Sequence, residues 1–158
     1  MQKISPCLWY DTQGEEAARF YVSVFKNSEI LDISYYPEGS PYPAGTAMVV
    51  DFVLDGVEFQ ALNGGPEYHF SEAISLSVSA ETQDEVDELW EKLTSDGGEP
   101  GPCGWLKDRY GLSWQIVPRV LSELLGDPDK AKAGRVMQAM MAMGKLDIAA
   151  LRAAYDAG

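Results

Sequence analysis

Two short stretches carry one signature. GVEFQAL (Gly56–Leu62) and GLSWQIV (Gly111–Val117) each open with Gly, place an aromatic residue fourth and a Gln fifth. Period-two alternation puts Gln60 and Gln115 on the face away from Phe59 and Trp114. An amide there can donate and accept, so it can hold a polar ligand group or orient a neighbouring carboxylate. Such a carboxylate is in reach. If Asp55-Gly56 is a two-residue turn, Leu54 lies opposite Val57, and counting inward brings Asp51 opposite Gln60. Asp is a poor strand residue, which makes Asp51 within AMVVDFVL conspicuous. It would act as a general base or grip a substrate hydroxyl, or it would simply hydrogen-bond Gln60. Cys103, in GPCGWLKD, would need a basic partner such as Lys107 to become reactive, and packing is the plainer role. His69, the sole histidine, has no companion ligands near it in sequence and reads as a surface or interface residue.

The elements that must position these groups come twice. KISPCLWY (3–10) reads as a strand and DTQGEEAARFYVSVF as a helix capped by Asp11 or Thr12. A further strand, a long Pro/Gly loop and the Asp55-Gly56 hairpin follow. From residue 73 the pattern restarts with the strand AISLSVSA and the helix ETQDEVDELWEKL, whose apolar face is Val86, Leu89, Trp90 and Leu93. The loop SDGGEPGPCG and the hairpin WLKDRYGLSWQIVP complete it. The apolar strand faces are Ile4 with Leu8, then Val57, Phe59 and Ala61, then Ile74, Leu76 and Val78, then Leu112, Trp114 and Ile116. A helical tail follows: Asp127 caps with Pro128 first in the helix, Gly144 stops it, and Asp147 caps the next helix, with Leu146 and Leu151 as a staple. The fold class expected is therefore α+β: βαβββ modules over 1–66 and 67–118, with a helical extension over 119–158, all one structural unit.

The 158 residues are 46% hydrophobic, enough for a buried core. Twelve Lys and Arg stand against 25 Asp and Glu, a net charge of −13. That sign repels phosphate backbones and anionic headgroups, so neither nucleic acid nor membrane is an expected partner. Two cysteines, Cys7 and Cys103, make no disulfide framework and no metal spacing. Without an apolar leader-like opening or spanning run, the expected location is the cytoplasm.

The tandem βαβββ pattern, the pair Phe20-Tyr21 and the hairpin DRYGLSWQIVP resemble the vicinal oxygen chelate superfamily of glyoxalase I, extradiol dioxygenases and bleomycin-resistance proteins. CGWLKDRYGLSWQIVP and AGRVMQAMMAMGKLDIAAL resemble its PhnB-like branch, often labelled 3-demethylubiquinone-9 3-methyltransferase. The resemblance implies a cupped mixed sheet, a ligand groove and a homodimer. It also implies four metal-ligand positions, which fall on Ser5 or a neighbour, Gln60, Ala73 or Ser75, and Gln115. None is His, Asp or Glu, and neutral amides are weak donors to a divalent cation. No metal and no cofactor are therefore expected.

The function expected is a metal-free groove that binds a small organic molecule. Asp51 is its candidate catalytic residue, with Gln60, Gln115, Ser75, Ser77, Trp9 and Trp105 as ligand-binding residues. Trp9 and Trp105 would stack on a flat ligand, and the serines would leave room for it. Core packing and solvent exposure are the alternative roles of these residues. The competing functions are a metal-dependent glyoxalase- or dioxygenase-type enzyme and a drug-sequestering protein. Methyl transfer is not expected, because NGGPEYHF and SDGGEPGPCG lack the strand–glycine turn–helix setting that holds a nucleotide-type methyl donor.

Overall fold

The computed structural model describes residues 2–158. The chain divides into two compact units, Met1–Phe70 and Ser71–Gly158. Among the described residues the fold is α+β: two four-stranded mixed sheets and five helices.

Unit 1 runs β1 (Cys7–Tyr10), α1 (Gly14–Val24), β2 (Glu29–Tyr35), β3 (Ala47–Leu54) and β4 (Val57–Asn63), with sheet order β1-β4-β3-β2. β1 and β4 are parallel; the other neighbours are antiparallel. The β3–β4 turn uses Asp55 at φ 45° and Gly56 at φ 81°. Both values lie in the left-handed region that a tight hairpin requires. Asp51 consequently faces Gln60. Alternation sends Leu8, Tyr10, Val50, Phe52, Leu54, Phe59 and Ala61 into the core with Ala17, Ala18 and Tyr21 of α1. The first strand starts later than residue 3, and Ile4 is 86% exposed and outside the apolar set. Val57, at the mouth of the hairpin, is also exposed.

Neither Asp11 nor Thr12 caps α1. Its N-cap is Gln13, with no side-chain bond. The orphan N–H of Gly14 instead donates to Asn63 Oδ1 on β4 (2.7 Å), and Asn63 Nδ2 donates to the Ala47 carbonyl (3.0 Å). A Cβ on Gly14 would lie 2.8 Å from that Oδ1, so the close approach requires glycine.

Unit 2 repeats the order: β5 (Ser75–Ala80), α2 (Gln83–Thr94), β6 (Glu99–Pro100), β7 (Trp105–Lys107) and β8 (Ser113–Pro118), arranged β5-β8-β7-β6. The short β6 lies inside the stretch read as loop. Here the helix does carry its own cap, Thr82 accepting from Glu85 N. Val86, Leu89 and Leu93 are buried against Leu106, Leu112, Trp114 and Ile116, whereas Trp90 is half-buried and Ile74 lies outside β5, exposed.

The β7–β8 connection is organised by Asp108, which is 2% exposed. Its carboxylate accepts from Tyr110 N (2.8 Å), Leu112 N (3.1 Å) and Trp114 Nε1 (2.8 Å). A buried charge is tolerated only when so satisfied.

The tail adds α3 (Arg119–Leu125), α4 (Lys130–Met141) and α5 (Ile148–Asp156). α3 follows β8 directly and opens the helical extension expected over 119–158. α4 is capped by Asp129, accepting from Ala131 N and Lys132 N, rather than by Asp127, and it ends at Met141, ahead of Gly144. Asp127 accepts from Asp129 N and from the Tyr155 hydroxyl. Asp147 caps α5. Leu146 and Leu151 are fully buried in one cluster with Leu121, Leu124 and Val136.

Two substitutions test these supports. Asn63→Ala leaves the Gly14 N–H and the Ala47 carbonyl unpaired and should destabilise unit 1 by about 2 kcal/mol. Asp108→Ala strands three donors and should cost about 3 kcal/mol, read by urea unfolding of each variant against the parent chain.

Candidate functional site

In unit 1 the register lines up four side chains across the sheet: Cys7 (β1), Gln60 (β4), Asp51 (β3) and Asp32 (β2). Directly opposed residues share a face. Gln60 Nε2 donates to Asp51 Oδ1 at 3.0 Å. The Gln60 amide oxygen and the other oxygen of Asp51 make no hydrogen bond among the described residues. Both are acceptors, carried by half-buried residues. They border an open cavity of about 860 Å³ whose lining includes Ser5, Leu31, Asp32 and Phe59.

Asp32 was not singled out from the sequence. It stands opposite Asp51, a like-charge juxtaposition that disfavours the sheet unless solvent or a ligand intervenes. An acid inside the strand EILDISY was the available signal. Cys7, not Ser5, is the register partner of Gln60. Partial burial, and then the Asp51 charge, push its thiol above the ordinary range.

Trp9 shares the face of Cys7 but is committed. Its Nε1 donates to the Gly65 carbonyl (2.9 Å), and its ring stands edge-on to Tyr68 at 4.9 Å. A Cβ on Gly64 would lie 2.5 Å from the indole, so the ring rests on bare backbone. Trp9 is therefore braced, and its indole N–H is already engaged.

In unit 2 the corresponding row is Ser77 (β5), Gln115 (β8) and Trp105 (β7). Gln115 Nε2 donates to Ser75 Oγ at 3.0 Å. Ser77 is exposed and, with Ser79, lines a shallow cavity of about 320 Å³ beside Arg119. Trp105 is half-buried and lines a smaller pocket of about 140 Å³. Asp51 and Gln60 thus meet in one unit, and Gln115, Ser75, Ser77 and Trp105 gather on one sheet of the other.

Cys103 is a free, half-buried thiol held at φ 58°, and Cys7 is free and exposed. Lys107, named as the possible basic partner of Cys103, is paired with Glu72. His69 is exposed. Among the described residues no three His, Cys, Asp or Glu side chains stand together as a metal-binding group, and no helix is long and apolar enough to cross a membrane.

The Cys7–Asp51 relation gives a direct check. Removing the charge with Asp51→Asn lowers the cost of the thiolate. Iodoacetamide should then alkylate Cys7 faster at pH 8 while Cys103, read separately by mass spectrometry, keeps its rate. An unchanged Cys7 rate would mean that the two groups do not interact.

The fold is shared with known structures. A PhnB protein from Bacillus cereus is 36% identical, with a TM-score of 0.67 over 74% of this chain and 99% of that one. Two more distant structures share the fold: a Pseudomonas aeruginosa protein (19% identity, TM-score 0.60, 75% and 98% covered) and a genomically encoded fosfomycin resistance protein from Listeria monocytogenes (15% identity, TM-score 0.51, 78% and 97% covered). No curated protein matches the chain. The family model described as 3-demethylubiquinone-9 3-methyltransferase matches residues 2–117, a span that takes in both βαβββ repeats and both glutamine strands, and the chain belongs to that family.

Proposed function

We propose that the protein binds a small organic molecule on the mixed faces of its sheets without a metal ion. The observation that carries this reading is the engagement of the duplicated glutamines: Gln60 is held by Asp51 and Gln115 by Ser75. A divalent transition metal wants imidazole, thiolate or carboxylate ligands, and two neutral amides do not fit it. What the Asp51–Gln60 pair offers instead is a set of acceptors. The free carboxylate oxygen of Asp51 and the Gln60 carbonyl suit a ligand hydroxyl, and Asp51 would take its proton if chemistry follows. Leu31 supplies apolar contact beside it. In unit 2, Trp105 offers a face for a flat ligand and Ser77 leaves space near Gln115.

Methyl transfer from a nucleotide-type donor finds no support in the fold. Gly64-Gly65 follow β4 and lead towards β5, and Gly97-Gly98 join α2 to β6. Neither forms the strand–turn–helix of a parallel sheet that such donors use. The same reading has the protein working as a cytoplasmic homodimer, which equilibrium sedimentation at twice the chain mass would bear out.

A thermal-shift screen of small hydroxylated and aromatic compounds on protein purified without added metal provides the test. A compound should raise the Tm in proportion to its concentration, and Asp51→Asn or Gln60→Leu should remove that shift, with chelators having no effect. Stoichiometric zinc, nickel or iron in the purified protein, lost together with ligand binding on chelation, would overturn the reading.

A further inference from the structure

The hydroxyl of Ser113 is anomalous. Ser113 is 1% exposed, and its Oγ has no hydrogen-bond partner among the described residues. Leaving a buried hydroxyl unpaired is costly, so something outside the chain is expected to meet it. Ser113 lines a pocket of about 140 Å³ in unit 2, together with Pro100, Pro102, Trp105 and Leu106. Lys107 stands directly opposite Ser113 on β7, with Glu99 beyond it on β6. Lys107 is tied to Glu72 by an ion pair whose side chains are 40% and 62% exposed. Exposed pairs of this kind open at little cost.

We propose that this pocket is a subsite for one small neutral molecule, made of a ring-sized apolar body and a single hydroxyl or carbonyl. Ser113 bonds the polar group, the prolines and Trp105 cover the body, and the Lys107–Glu72 pair is the gate. The size fits: cavities of about 150 Å³ hold one benzene ring. The charge fits as well. Lys107 is already matched by Glu72 with Glu99 alongside, so a ligand anion would meet two carboxylates. The subsite shares Trp105 with the site proposed above, but it does not rest on the Asp51–Gln60 pair.

Phenol, toluene and benzoate separate the contributions, followed by NMR at the Trp105 indole N–H, assigned with Trp105→Phe. Phenol should shift this resonance saturably, toluene should bind more weakly, and benzoate should not bind. Ser113→Ala folds readily, since it removes only an unpaired hydroxyl. It should weaken phenol binding about three- to ten-fold, the worth of one neutral hydrogen bond, and leave toluene unchanged. Glu72→Gln should loosen the gate and tighten phenol binding. Phenol binding that is indifferent to Ser113→Ala, or no saturable shift at Trp105 (the hydroxyl then meeting only an ordered water), overturns the proposal. A screened compound that still depends on Asp51 in that protein would show that the failure lies in the subsite alone.

Discussion

The first unit depends on one two-residue turn. Asp55 and Gly56 both adopt positive φ, and that conformation fixes Leu54 opposite Val57. Every pairing farther along follows from it. A slip of β3 by one residue against β4 would turn Val50 and Phe52 out to solvent and carry Asp51 into the core, away from Gln60. Burying that carboxylate beneath α1 would cost far more than the hairpin hydrogen bonds return. Core and polar row are therefore two faces of a single register choice, and neither can shift without the other.

The second unit reaches the same strand order by different means. Its hairpin loop is longer, and a buried carboxylate replaces the tight turn as organiser. Asp108 gathers two backbone N–H groups and the indole of Trp114, so the loop is tied to the core residue that follows it. The duplicated glutamines then acquire different partners. Gln60 finds an acid on the neighbouring antiparallel strand, where unit 2 has Trp105, and Gln115 turns to Ser75 on the parallel side. One repeated pattern yields a charged row in the first unit and a small, aromatic-walled one in the second.

Much of this was readable from residue order. Alternation gave the buried faces of β4 and β8, and the Asp-Gly turn gave the Asp51–Gln60 register, because both signals are local. What escaped was non-local. The cap of α1 comes from a strand 49 residues away, which no reading of DTQG can reveal. Asp32 gains meaning only once β2 is placed beside β3. Ser113 looks like any strand serine until its surroundings show that nothing answers its hydroxyl. The cap of α4 lies two residues beyond the Asp127 expected, because Asp127 accepts from Asp129 N in a turn and leaves Asp129 to accept from Ala131 N and Lys132 N.

The borrowed cap bears on the order in which the chain assembles. α2 carries Thr82 and can begin winding as soon as its own residues are available. α1 lacks any such device, and its first N–H waits for Asn63. As the chain leaves the ribosome, the first helix to be made thus has no complete N-terminus until β4 has followed it out. The earlier helix is completed only by its own sheet, whereas α2 carries its cap within its own residues.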